Sequence, residues 1–192
     1  MQLKAETFLI LVELGIFIAG AQASENTPPK GFTALFNGKD LTHWQGVLAP
    51  PYDNPAKRAA LSAAERQRLQ AQADKLMRQA WKVEDGALAY NGKGFSLSTV
   101  KEYGDFELYV DWKIEPGGDS GIYLRGCPQV QIWDAGKVKI GSGGLYNNKK
   151  HPSQPLEIAD KPVGQWNTFY IKMEGDKATV KLNGKLVVDH VP

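Results

Sequence analysis

Gly117-Gly118-Asp119-Ser120-Gly121-Ile122-Tyr123-Leu124-Arg125-Gly126 is followed, after Cys127-Pro128, by Gln129-Val130-Gln131-Ile132-Trp133-Asp134. A β-strand sends successive side chains to opposite faces. Ser120, Ile122 and Leu124 therefore share one face of the first run, with Tyr123 and Arg125 opposite. In the second run Val130 and Ile132 oppose Gln129, Gln131 and Trp133. Pairing around the Gly126-Cys127-Pro128 turn yields a ribbon with one aliphatic face, fit for a core. The other face gathers Tyr123, Arg125, Gln129, Gln131 and Trp133. Amides and a guanidinium bond hydroxyl groups, and an aromatic plane receives the C–H face of a ring, so this surface suits a sugar.

Working outward, the chain reads as strand after strand. Phe106, Leu108, Val110, Trp112 and Ile114 alternate with Glu107, Tyr109, Asp111 and Lys113, which predicts a strand over residues 106–114. Further strands are predicted over 81–83, 87–90, 95–100, 166–173, 177–182 and 186–191, the last entered by the hairpin signal Asn183-Gly184. A first strand is expected over 31–36, turned by Asn37-Gly38-Lys39-Asp40. Gly141-Ser142-Gly143-Gly144 reads as a flexible loop leading to Tyr146, which is placed to close over the sugar face. Short strands with Gly- and Asn-rich turns make an all-β antiparallel sandwich.

One segment breaks the pattern. Ser62-Ala63-Ala64-Glu65 is a capping box, and Leu69, Ala73, Leu76 and Ala80 follow at helical spacing. An inserted helix is expected within 54–80. Residues 57–78 hold six basic and two acidic side chains, a solvated face on a helix lying across the sandwich edge; a lid or partner-binding helix is the competing reading.

The 192 residues, 42% hydrophobic and 23% charged, are those of a soluble globular chain of one domain. Lys4, the apolar run from Phe8 to Ala19 and Ala21-Gln22-Ala23 read as a secretory signal over 1–23, with residues 24–192 as the exported domain. The apolar run is shorter than the roughly 20 residues a membrane span needs, so no stable span is expected after cleavage. Localisation is then periplasmic, cell-surface or extracellular. Loss of one lysine and two glutamates with the signal moves the net charge from +2 to +3, too mild for a nucleic-acid partner. Cys127 is the only cysteine and His43, His151 and His190 the only histidines, which disfavours a Cys/His zinc site. Cys127 reads as a small buried filler, Trp112 and Trp166 as packing residues.

Several pieces in order carry a resemblance: Leu35-Phe36-Asn37-Gly38-Lys39-Asp40-Leu41, Tyr103-Gly104-Asp105-Phe106-Glu107-Leu108, Asp119 to Arg125, Gln129-Val130-Gln131-Ile132 with Asp134, Pro162-Val163-Gly164-Gln165-Trp166-Asn167, and Leu182-Asn183-Gly184. Together they resemble the secreted bacterial 3-keto-disaccharide hydrolase domain family from residue 31 onward. The resemblance implies a concanavalin-like jelly-roll sandwich and an exported enzyme that cleaves 3-keto-disaccharides or 3-keto-glycosides. The family carries further C-terminal strands that this sequence lacks, so a truncated sandwich is expected. Gln129 also departs from the pattern, where related sequences often have Glu.

That departure bears on mechanism. Ordinary retaining or inverting hydrolysis needs two carboxylates flanking the bond, and Gln129 and Gln131 supply none. A ketone at C3 acidifies the C2–H, so one general base suffices for elimination of the C1 substituent, and water then adds back. Asp119 and Asp134 are the nearby carboxylates, and either could serve as base or help hold a divalent ion that polarises the ketone; the sequence names no cofactor. His151 is an alternative base, and Arg125 could bear enolate charge. Blander roles stand beside these: Asp119-Ser120 can cap a turn, and Arg125 can form a surface ion pair. A carbohydrate-binding module, or a structural sandwich of a cell-surface assembly, would use the same fold without chemistry.

Overall fold

A computed structural model describes residues 26–192, so the signal over 1–23 lies outside the described residues. In chain order the elements are β1 (Trp44–Gly46), α1 (Pro55–Ala59), α2 (Ala63–Ala80), β2 (Trp81–Glu84), β3 (Ala87–Tyr90), β4 (Leu97–Thr99), β5 (Phe106–Trp112) and β6 (Asp119–Tyr123), followed by β7 (Gln129–Trp133), β8 (Leu145–Tyr146), β9 (Asn167–Glu174), β10 (Lys177–Leu182) and β11 (Lys185–Val191). Strands thus dominate the regular structure, and among the described residues every pairing within the sheets is antiparallel. Among the described residues no helix is long and apolar enough to cross a membrane.

The alternation in β5 is what binds the larger sheet together, ordered β11-β10-β9-β5. Leu108 and Val110 stand in register with Ile171 and Phe169 of β9, which in turn face Val180 and Leu182 of β10. β11 buries two successive valines, Val187 and Val188, against the rule of alternation. The β10–β11 register slips by one residue between Val180 and Lys181, and such a bulge turns its extra side chain onto the neighbouring residue's face. The smaller sheet, β6-β7-β8, contributes Leu124, Val130, Ile132 and Leu145 to the same core cluster, with Ile122 packed against it. Two sheets therefore close on one apolar core, and the other face of β6-β7-β8 is turned away from it.

The helical insertion forms as two pieces, α1 and α2, the second opened by the capping box of Ser62 and Glu65. Its inward stripe is Ala73, Met77 and Ala80, whereas Leu76 is exposed. The reason lies at Gly46: a Cβ there would collide with the Ala73 carbonyl, so the helix backbone itself rests on β1. The Gly46 N–H donates to Asp74 Oδ1 at 2.9 Å, and Gln70 Nε2 donates to the Gly46 carbonyl at 2.9 Å. Contact at Ala73 rotates the stripe by one residue, from Leu76 to Met77.

Two expectations are corrected here. Residues 31–36 form no strand; Phe32 instead sets its ring edge-on to Tyr109, 5.1 Å between centroids. The Asn37–Asp40 turn does form, with Asn37 Oδ1 accepting the Lys39 and Asp40 N–H groups. The Asp40 carboxylate, which accepts from Thr42 and Asn37, is held down to about 2. Cys127 is exposed rather than buried, because it sits at the tip of the β6–β7 hairpin, where there is no core to fill.

Candidate functional site

The outward face of β6-β7-β8 is built by register. Asp119 stands opposite Trp133, Gly121 opposite Gln131, and Tyr123 opposite Gln129, which also pairs with Tyr146 on its other side. Tyr123 and Tyr146 are about half exposed, at 51% and 50%. Between them Gln129 and Gln131 are buried, so the face has an amide floor and an aromatic rim. Trp133 meets Tyr146 edge-on, with ring centroids 6.3 Å apart and planes at 90°.

The floor is held by its own hydrogen bonds. Gln131 Nε2 donates to Asp119 Oδ1 at 2.7 Å and to the Ser120 carbonyl at 2.9 Å; Gln129 Nε2 donates to the same carbonyl at 3.2 Å. Both donor ends are thereby spent on protein, leaving the amide oxygens to accept from a ligand hydroxyl. Gly121 makes this possible, since a Cβ there would occupy the space of the Gln129 amide. Gly121→Ala is expected to push Gln129 out of the floor. If the face holds a sugar, the lost floor hydrogen bonds should weaken its binding about two- to tenfold, read by titration of intrinsic tryptophan fluorescence. Unchanged affinity would mean that the floor is not where the ring sits.

The two candidate carboxylates part company. Asp134 is buried, its Oδ2 accepting the Gly117 N–H at 2.6 Å and its Oδ1 accepting the Gly136 N–H at 2.8 Å. The Gly117 hydrogen bond above all holds its pKa below the ordinary aspartate range, against the opposing effect of burial, with Gly136, Lys137 and the Lys137 charge adding to it. A carboxylate with both oxygens occupied by backbone donors is a clamp between two loops, not an open base. Asp119 is exposed, and only its Oδ1 is engaged, by Gln131. Its second oxygen takes no protein donor among the described residues.

Arg125 leaves the face. Its backbone has φ 54°, past the end of β6, and its guanidinium donates to the Gly175 carbonyl in the β9–β10 turn at 2.6 Å. The alternation that placed it beside Tyr123 stops where the strand stops. His151 lies exposed in the segment after β8, its backbone N–H donating to Asn148 Oδ1 at 3.3 Å; no hydrogen bond joins its imidazole to Asp119 among the described residues. Among the described residues no group of three or more His, Cys, Asp or Glu gathers in a manner suited to a metal ion. With Asp134 occupied, the donor set does not fit the divalent ion considered from sequence.

The glycine loop does form between β7 and β8, and it is hydrogen-bonded to β7. Gly143 N–H donates to the Gln131 carbonyl at 2.8 Å, and Gln131 N–H donates to the Gly144 carbonyl at 2.9 Å. Residues 141–144 are all buried. Their small side chains let this loop lie close against β7, a packing role that the loop reading did not include. Trp112 is buried in the core, and Lys113 lies 5.3 Å over the half-buried Trp166 ring, in keeping with packing roles for both tryptophans.

Residues 31–192 match the 3-keto-alpha-glucoside-1,2-lyase-like domain. A 3-keto-disaccharide hydrolase of Bacteroides thetaiotaomicron is 23% identical over 173 residues, covering 71% of this chain and 50% of that protein. The chain thus spans about half the length of the curated relative it matches. A crystal structure of a provisionally designated glycosyl hydrolase from Parabacteroides distasonis superposes with TM-score 0.57 at 24% identity, covering 95% of this chain and 81% of that one. A second, from the same organism and with the same designation, gives 0.53 at 21% identity over 81% and 69%. At these identities the likeness is one of fold.

Proposed function

Because the chain belongs to the 3-keto-alpha-glucoside-1,2-lyase-like domain family, we propose that it is an exported enzyme that cleaves 3-keto-disaccharides or 3-keto-glycosides by elimination followed by hydration. The observation that carries this reading is Asp119: one exposed carboxylate held by a buried amide, on a face that otherwise offers only glutamines and aromatic rings. A lone base on an uncharged floor suits removal of an activated C–H and does not suit two-carboxylate hydrolysis.

In this mechanism the sugar ring rests on Trp133, Tyr123 and Tyr146, with hydroxyls bonded to Gln129 and Gln131. Asp119 takes the C2 proton. The C–H electron pair forms the C1–C2 double bond, the C1–O bond breaks, and the leaving oxygen takes up a proton. Water then adds across C1 and C2, hydroxyl to C1 and hydrogen to C2, giving net hydrolysis. Asp134 holds Gly117 and Gly136 in place beside the start of β6, and Arg125 braces the far end of the hairpin.

The same amide floor and aromatic rim, with no carboxylate pair, also favour a second reading, a carbohydrate-binding module without chemistry. A sugar-release assay with the mature protein separates them, comparing a 3-keto-disaccharide with its unoxidised parent. Release from the keto sugar alone is the expected result. Release from both would require a carboxylate pair elsewhere, and binding without release from either would leave the module.

A further inference from the structure

Two asparagines at one end of the four-stranded sheet hold the segment around Asp160. Asn183, in the β10–β11 turn, donates to the Ala159 carbonyl at 2.8 Å and to Asn167 Oδ1 at 2.8 Å; that same oxygen accepts the Lys161 N–H at 2.8 Å. Residues 159 and 161 are thereby fixed on either side of Asp160. Asp160 Oδ2 accepts the Ser142 N–H at 2.9 Å. Ser142, fully buried, accepts the Trp133 N–H on its Oγ at 2.9 Å.

A second fastening runs alongside. Gly144 lies so close beneath the Ser153 carbonyl and Pro155 that no side chain would fit, and its own carbonyl holds the Gln131 N–H. Residues 142–144 are therefore pressed between β7 and the segment 153–160. At Trp133, where β7 ends, a serine hydroxyl does what a backbone carbonyl does one step earlier, and the only partner of the Ser142 N–H is Asp160 among the described residues.

We propose that Asp160 is a positioning residue for the sugar face: acting through Ser142, it fixes the end of β7 and so the angle at which Trp133 meets the ring. This rests on the reading that the face holds a sugar. Asp160→Ala leaves the buried Ser142 N–H without an acceptor, and a buried donor does not stay unpaired without displacement of its surroundings. Asp160→Asn keeps an oxygen where Oδ2 stands. The amide NH2 then takes the place of Oδ1, which is buried without a protein partner, so this variant keeps the Ser142 bond at the cost of an unpaired donor.

The test uses mature protein carrying 5-fluorotryptophan, with the Trp133 resonance among the five tryptophans identified by its loss in Trp133→Phe. In ligand-free Asp160→Ala the Trp133 fluorine resonance is expected to shift while the other four hold. KM for a 3-keto-disaccharide should rise about two- to tenfold, the effect of one displaced hydrogen-bonded contact, with kcat nearly unchanged. Asp160→Asn, which keeps the Ser142 acceptor, should bring both part of the way back. If Asp160→Ala unfolds, all resonances collapse together, and Ser142→Ala takes its place: it removes the Trp133 acceptor and must shift that resonance alone. A Trp133 resonance unmoved in the folded variants, or a shift shared equally by all five tryptophans, overturns the proposal. If the resonances behave as expected but the wild type neither binds nor cleaves the keto sugar, positioning stands and the sugar reading falls.

Discussion

Asp119→Asn is expected to lower kcat on a 3-keto-disaccharide by about a hundredfold or more, the scale of a lost general base. The variant is well chosen for the purpose. An asparagine oxygen can still accept from Gln131 Nε2, the one side-chain hydrogen bond of Asp119 among the described residues, so the floor stays as it is and only proton acceptance is removed. Sugar affinity should therefore shift by no more than about tenfold, the range of a single hydrogen bond. Single-turnover rates on the keto sugar, paired with fluorescence titration of the unoxidised parent, read the two quantities separately. Retained turnover would move the base elsewhere, with His151 next to be replaced. Loss of binding as large as the loss of rate would make Asp119 a ligand contact and favour the binding module.

How far the residues foretold this site depends on how far a strand runs. Period-two alternation placed Tyr123, Gln129, Gln131 and Trp133 on one face, and the register agrees, because Ile122, Val130 and Ile132 had only one core to enter. Arg125 shared that parity but not the strand: a positive φ after Tyr123 is a property of the turn, and nothing in the side-chain pattern marks it. The helix cap and the 177–182 strand were legible for the same local reason, since both are written in residues a few positions apart. Asp134 and Asp160 were not. Besides the local Gly136 bond of Asp134, their partners Gly117 and Ser142 lie 17 and 18 residues away, and a carboxylate bonded to distant backbone donors looks in sequence like any other acid. Ser142 was hidden by its glycine neighbours, which suggested mobility where they permit close approach.

The second large effect is expected in the core. Phe169 has no exposed surface, lies 5.4 Å from the Trp112 ring and stands in register with Val110 on one side and Leu182 on the other. Removing its ring leaves a hole at the centre of the larger sheet, facing the smaller one. Phe169→Ala should cost about 3–5 kcal/mol in unfolding free energy. For a domain of this size that corresponds to a fall in Tm of roughly 6–20 °C. Urea and thermal unfolding curves give both numbers. A cost below about 1 kcal/mol, the scale of a surface substitution, would place the core elsewhere. Because Val130 and Ile132 back onto this cluster while their neighbours Gln129 and Gln131 form the floor, sugar affinity should weaken in any Phe169→Ala protein that still folds.

The way α2 is fastened to β1 has a consequence for the molecule in a crowded solution. An unpaired strand margin offers a row of donors and acceptors to any other extended chain, and that is how sheets recruit one another into aggregates. At Gly46 both backbone groups are already taken, the N–H by Asp74 and the carbonyl by Gln70. Side chains cannot be lengthened into another strand as a backbone can, and the helix body stands where an incoming chain would have to lie. The insertion thus acts as a stopper, closing that margin to self-association without adding a strand to the sheet.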